Sequence, residues 1–244
     1  KSKYVLRNNV LGFGLLEKYD HCLPLIIDPE LVFSTYSGST FDNWGNTATY
    51  DNDGRLYAGG ITFGYKFPQG RGRKNLNADI DMTIYKYNAK GTAAEYITYL
   101  GGDSMEIPHS LLVNSNNELI ILGNTGSLNA PTSANAYDRT YNGGSLQAFD
   151  GIEFYSGTDL YIAKLNASGV LMASTYLGGS DNDGYNYFLN TNYGDLFRGD
   201  ITLDASNNII IASSTSSTDF PGLSSFSNSY KGGESDGIVC KLSG

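Results

Sequence analysis

A chain of 244 residues with 40% apolar and 17% charged residues holds enough apolar material for a real core and excludes a disordered polymer. Gly, Ser, Thr, Asn and Tyr are abundant and helical heptads are missing, which is the composition of many short strands joined by tight turns. The net charge of −9 repels a phosphate backbone, and the one basic run, Arg71-Gly72-Arg73-Lys74, reads as a solvated loop, so nucleic acid is excluded as a partner. No apolar run approaches the roughly 18 to 20 residues that a membrane-crossing helix needs.

In chain order, the first 30 residues stand apart. The strings KYVLRNNVLGFGLLEKYD and LPLIIDP predict two or three strands with a turn at Asn8-Asn9, ending at Asp28-Pro29. They read as the last strands of a preceding β domain, or as strands that complete a neighbouring unit.

From residue 31 an internal repeat takes over. A Thr-Tyr strand running into a glycine or serine turn occurs as FSTYSGS (33–39), YITYLGG (96–102) and ASTYLGGS (173–180). Each copy leads to a strand that carries lysine: IYKYNAKG (84–91), IAKLNASG (162–169) and VCKLSG (239–244). Between them lie hairpin signals, a β-prone run on each side of an Asx- and Gly-rich turn, at residues 47–60, 111–123 and 201–213. Each repeat thus supplies about four strands, the content of one propeller blade. The expected fold is all-β, with three four-stranded β-propeller blades over about 31–91, 92–169 and 170–244, preceded by the short β segment 1–30. Closed propellers hold about four to eight blades, so the chain reads as part of a longer protein whose further blades follow Gly244.

Spacing places the variable loops. From the Thr-Tyr tyrosine to the hairpin Asx the intervals are 15, 15 and 28 residues, and from there to the closing glycine 40, 55 and 40. The third repeat therefore carries an insertion near residues 185–197 and the second near 145–156. Insertions on a constant frame are where repeat scaffolds place function.

The string STYLGGS-x-x-D-x-G (174–184), then ITLDASNNIIIAS, STDFPG and SYKGGESDGIVCKL, resembles the SBBP family of bacterial β-propeller repeats, over residues 31–244. The first copy departs by SGS for LGG, and the second lacks the Asp/Gly pair after its LGG, with Ser104-Met105-Glu106 there instead. The resemblance implies a large secreted or outer-cell-surface protein of the Bacteroidota, exported by a type IX system, so that the export machinery is one partner.

The third insertion packs Tyr185, Tyr187, Phe188, Asn190 and Tyr193 into nine residues, and rings beside asparagines suit recognition of sugars or protein surfaces. Rings that merely cap the end of a sheet are the alternative. Asp181, Asn182 and Asp183 supply oxygen ligands on a tight turn and are the candidate calcium site, although Asp and Asn also form such turns unaided; no other cofactor is expected. His109 reads as a packed imidazole rather than a general base. No carboxylate pair stands out for glycoside hydrolysis. Asp103-Ser104-Met105 matches the O-glycosylation pattern that goes with the implied lineage, which makes Ser104 the candidate glycan acceptor. Cys22 and Cys240 have no metal-site spacing, and both a bridge between them and two separate thiols are open. The expected function is a non-catalytic module acting in adhesion or protein–protein interaction, with a protein or glycan partner at the cell surface. A carbohydrate-binding module or glycan-active enzyme and a structural spacer are the alternatives.

Overall fold

The computed structural model describes residues 2–8, 10–25, 31–63, 71–72, 80–149, 152–186, 196–222, 227 and 229–244. Among them the fold is all-β and every multi-residue regular element is a strand. No helix among them is long and apolar enough to cross a membrane. The chain divides into two compact units, Lys1–Ser34 and Thr35–Gly244.

In the first unit β1 (Ser2–Arg7) pairs antiparallel with β2 (Val10–Leu15), in a register that sets Arg7 opposite Val10. Asn8 takes φ 51° in the connection, the left-handed conformation that asparagine tolerates best among non-glycine residues. The rings of Tyr4 and Phe13 pack at 5.0 Å across the two strands. In the expected third strand, residues 23–25 lie outside any strand and residues 26–30 lie outside the described part of the chain.

The second unit holds three main sheets. β3 (Asn43–Tyr50), β4 (Leu56–Thr62), β6 (Asp81–Tyr87) and β7 (Ala94–Leu100) form an antiparallel meander, with the two-residue β5 (Arg71–Gly72) parallel to β7 at its edge. β8 (Glu106–Val113), β9 (Leu119–Thr125), β12 (Asp159–Leu165) and β13 (Leu171–Leu177) form a second meander. The hairpin of β10 (Gln147–Phe149) and β11 (Ile152–Phe154) is the second-repeat insertion. β14 (Asp200–Leu203), β15 (Ile209–Thr215) and β16 (Asp236–Leu242) make the third sheet. These sheets stay open, and their strand pairing closes no barrel.

One turn recurs five times. Asp51, Asn114, Asn166 and Asp204 each accept backbone N–H bonds on Oδ1 from the residues two and four positions on, at 2.8–3.0 Å, and Asn88 accepts the second of these. The residue three positions on has positive φ: Gly54, Gly91, Asn117, Gly169 and Asn207. A short polar side chain that replaces the missing backbone partners, followed by a left-handed residue, sets the hairpin register.

The sheets are out of phase with the sequence repeat. Each Thr-Tyr strand is the outer partner of the lysine strand before it: Tyr99 lies opposite Thr83, and Tyr176 opposite Tyr161. The first copy, residues 33–36, follows no lysine strand and forms no strand, and Tyr36 is 97% exposed, whereas Tyr99 is 9% and Tyr176 1% exposed.

Period-two alternation builds the core between sheets. Leu119 and Ile121 of β9 with Tyr161, Ala163 and Leu165 of β12 pack against Tyr57, Met82 and Ile84 of the first sheet. Their neighbours Ile120, Leu122, Leu160 and Ile162 face the other way, onto Ile201, Ile209 and Ile211 of the third sheet. The middle sheet is buried on both faces, which is why its strands read as continuous apolar runs.

Candidate functional site

The first strands β3, β8 and β14, with parts of β15 and β16, line an open groove of about 1220 Å³. Its walls carry Trp44, Asn46, His109, Ser110, Asp200 and Asp236 among other residues. Two β-bulges shape it. The register of β3 on β4 slips between Gly45 and Thr47, and that of β8 on β9 between Pro108 and Ser110, so that Asn46 and His109 are the extra residues. Both precede the hairpin Asx by five positions, and the third repeat has Gly199 there. A bulge re-aims a side chain out of the ladder.

Each wall residue is held by its strand. Ser110 Oγ donates to Asp200 Oδ1 at 2.7 Å, a bond that ties β8 to β14 across the groove floor, and the Ile201 N–H donates to the same oxygen at 2.9 Å. Ser213 Oγ donates to the Arg198 carbonyl at 3.2 Å. Trp44 is 40% exposed, with its ring 4.9 Å from Phe63 in an edge contact. His109 is half-buried as a residue, yet both ring nitrogens are buried and have no hydrogen-bond partner among the described residues. Burial pushes its pKa down to about 3, so the imidazole is neutral at physiological pH. A flat indole beside hydroxyls, an amide and carboxylates can bind a polar ligand that has one apolar face.

The loop residues singled out from sequence are placed differently. Tyr185 is buried: its ring packs at 5.3 Å on Phe197, which in turn packs on Phe154 of β11, so it closes the base of the insertion instead of presenting a face to solvent. Tyr187, Phe188, Asn190 and Tyr193 lie outside the described residues.

The side chains of the candidate calcium turn have separate tasks. Asn182 accepts the Thr158 N–H on Oδ1 and donates through Nδ2 to Ser145 Oγ, whereas Asp181 Oδ1 accepts from the N–H of Asn182. Asp183 Oδ2 accepts the Gly179 N–H at 2.8 Å and the Ser217 hydroxyl at 3.1 Å. Among the described residues no group of three or more His, Cys, Asp or Glu side chains converges as a metal site. At Ser104 the N–H donates to Ser127 Oγ and the residue is half-buried, with Asp103 bonded to Asn129 beside it. Cys22 and Cys240 are both free thiols, the first exposed and the second half-buried.

Asp183 belongs to a recurring pair that the motif search missed. A Cβ on Gly178 would stand 2.6 Å from Asp183 Oδ2 and 2.7 Å from Asp159 Oδ1, and a Cβ on Gly101 would overlap Glu106 Oε2 and Asp81 Oδ1. Glu106 holds the Gly102 N–H as Asp183 holds that of Gly179, so Glu106 fills the place of the acidic residue that the second repeat lacks by simple motif alignment. The signal was there, an acidic residue four positions after the second glycine. Burial, with Asp81 adding repulsion, pushes Glu106 up to about 8. Burial again, with Asp159 adding to it, pushes Asp183 up to about 7. Asp159 itself rises to about 6 by burial, although the N–H groups of Asn142 and Gly143 oppose the rise. A second buried negative charge nearby adds to the desolvation that raises Glu106 and Asp183. Their partners are backbone amides and hydroxyls of the same turns, which makes these pairs braces of the glycine turns.

No protein family model and no curated protein matches this sequence.

Proposed function

We propose that the chain is a non-catalytic recognition module, an arc of propeller-type blades from a secreted or cell-surface protein that acts in adhesion, and that the groove along β3, β8 and β14 takes a glycan. The propeller reading is supported by two four-stranded meanders with a third sheet beside them, whose first strands line a common groove as inner strands line a propeller channel. The SBBP-like repeat and the type IX export it implies belong to the same reading. The observation that carries the ligand class is Trp44, 40% exposed among Asn46, Ser110 and Asp200: a pyranose offers one flat C–H face to an indole and hydroxyls to flanking acceptors.

A glycan array followed by calorimetry on hits tests this, with wild type, Trp44→Ala and Tyr187→Ala/Tyr193→Ala compared. Binding that Trp44→Ala weakens at least tenfold, about 1.4 kcal/mol, supports the groove. Binding lost only in the tyrosine double variant moves the site to the third-repeat loop, and loss in chelator revives calcium at Asp181–Asp183. No binding in any arm leaves protein adhesion or spacing.

A further inference from the structure

The groove along β3, β8 and β14 has an excess of negative charge. Asp200 is exposed on its wall, and its carboxylate is held in one orientation, since Oδ1 takes the Ser110 hydroxyl at 2.7 Å and the Ile201 N–H at 2.9 Å. Its Oδ2 has no hydrogen-bond partner among the described residues. Asp236 of β16 repeats the arrangement: Oδ2 accepts the Lys231 N–H at 3.1 Å, and Oδ1 has no partner among the described residues. Arg198 is the one cation among the described residues that line the groove, against these two carboxylates. His109 adds an unmet acceptor beside Asp200. A Cβ on Gly199 would stand 3.2 Å from its Nδ1, and a neutral imidazole has one nitrogen that only accepts. The field beyond the groove has the same sign. Residues 1–34 hold four basic and four acidic side chains, so the second unit carries the whole net charge of −9.

We infer that the glycan of the groove is a short chain of amino sugars with free amines, one ring stacked on Trp44 and one ammonium on Asp200 Oδ2. This rests on the glycan reading above and names the class of sugar within it. Space sets the length. At about 1220 Å³ the groove exceeds the roughly 300–1,000 Å³ of a site for one drug-sized ligand, so several sugar units fit. Trp44 stands on β3 and Asp200 on β14, and β8 packs against both strands, so a ligand that meets both residues crosses β8. Charge sets the kind of sugar. An ammonium brings three donors and a positive charge to a carboxylate already oriented for it, and such charge-assisted bonds are roughly twice as strong as neutral ones. A uronic acid or a sulfated sugar brings an anion against two carboxylates and is repelled. An N-acetylated sugar keeps the face that stacks on the indole and loses the ion pair.

Three probes test this by calorimetry on the 244-residue chain at about pH 6, where the sugar amines hold their protons. They are a glucosamine tetramer, its N-acetylated form, which has the same rings without the charge, and a galacturonic acid tetramer. The expected result is that the glucosamine tetramer binds about tenfold tighter than the N-acetylated form and that the galacturonic acid tetramer does not bind. In Asp200→Asn the preference is expected to fall below about threefold. Asparagine keeps an Oδ1 acceptor for Ser110 and Ile201, and an unchanged circular dichroism spectrum checks that the fold is kept. Trp44→Ala is expected to weaken the glucosamine and N-acetylated tetramers alike, which separates the groove from diffuse attraction of a cation to an acidic chain. Equal affinity for these two tetramers, tighter binding of the galacturonic acid tetramer, or a preference that Asp200→Asn leaves intact overturns the amino-sugar inference. Each of those results leaves the glycan reading standing wherever Trp44→Ala weakens what binds. Glucosamine binding that Trp44→Ala leaves unchanged, or no binding of any tetramer, also overturns the inference, and the glycan array then decides the broader reading by itself.

Discussion

Replacing Asp183 by asparagine tests whether the buried carboxyl pairs store a proton. Asp183 is fully buried, its Oδ2 accepts from Gly179 and Ser217, and its Oδ1 has no partner in ordinary hydrogen-bond geometry. In the second repeat the corresponding Glu106 accepts the Thr125 hydroxyl at 2.6 Å. Burial, with Asp159 nearby, carries the Asp183 carboxyl from 3.8 to about 7. Below pH 3.8 both folded and unfolded chains hold the proton and the shift has no effect. As pH rises from about 4 to about 7 the unfolded chain releases it and the folded chain keeps it, so stability falls through that window. At roughly 1.4 kcal/mol per pH unit the loss at pH 8 is on the order of 4 kcal/mol. Asparagine keeps the acceptor for Gly179 and cannot ionise. Its amide, without an acceptor at the Oδ1 position, costs a constant 1 to 3 kcal/mol or so at every pH. Urea denaturation of wild type and Asp183→Asn at pH 4.5, 6 and 8 reads the difference. The variant should gain on wild type by on the order of 3 kcal/mol between pH 4.5 and pH 8, since about 1 kcal/mol of the loss already lies below pH 4.5. His109 works in the opposite direction, since an imidazole held neutral to about 3 contributes stability above about pH 6.5 that is lost on acidification. It is present in both chains and cancels. A stability difference that stays flat across the three pH values would refute the stored proton.

Three further outcomes follow from the packing. Gly101→Ala forces a Cβ onto Asp81 and Glu106 and should cost more than about 3 kcal/mol or abolish folding, whereas Gly45→Ala meets no atom within 4 Å and should stay within about 1 kcal/mol; thermal melts of the pair decide it. Tyr176→Phe removes hydroxyl bonds to the carbonyls of Ser127 and Ala130 and should lower Tm by about 2–4 °C, the equivalent of about 1 kcal/mol, while Tyr50→Phe, on an exposed ring, should leave Tm unchanged. Gly54→Ala places a side chain at φ +76° and should cost about 1–2 kcal/mol by urea denaturation, whereas Asn117→Gly relaxes the same turn position and should be neutral within about 0.5 kcal/mol.

The hairpins were legible because they are local. An Asx residue, its two amide donors and a left-handed Gly or Asn all lie within five residues, and the same chemistry recurs wherever the pattern does. The second-repeat insertion was legible by counting, since Gln147–Phe149 and Ile152–Phe154 pair as an extra hairpin inside the expected stretch, whereas most of the third-repeat insertion lies outside the described residues. The ligand site was not. Tyr185 looked like a recognition ring because its neighbours in sequence are polar, but it packs under Phe197, a residue twelve positions on. Trp44, Asn46 and His109 carried no motif. Two of them gain their place from bulges, which only the partner strand reveals.

The all-β class, the repeat, the turn positions and the alternation that sends Leu119 one way and Ile120 the other were determined by sequence alone, through contacts between near neighbours and the period-two geometry of the strand. Which strand joins which sheet was decided only by the tertiary structure. Three nearly identical Thr-Tyr segments meet two different fates, two paired and one bare, because a strand becomes a strand only where an edge of the right register already stands beside it.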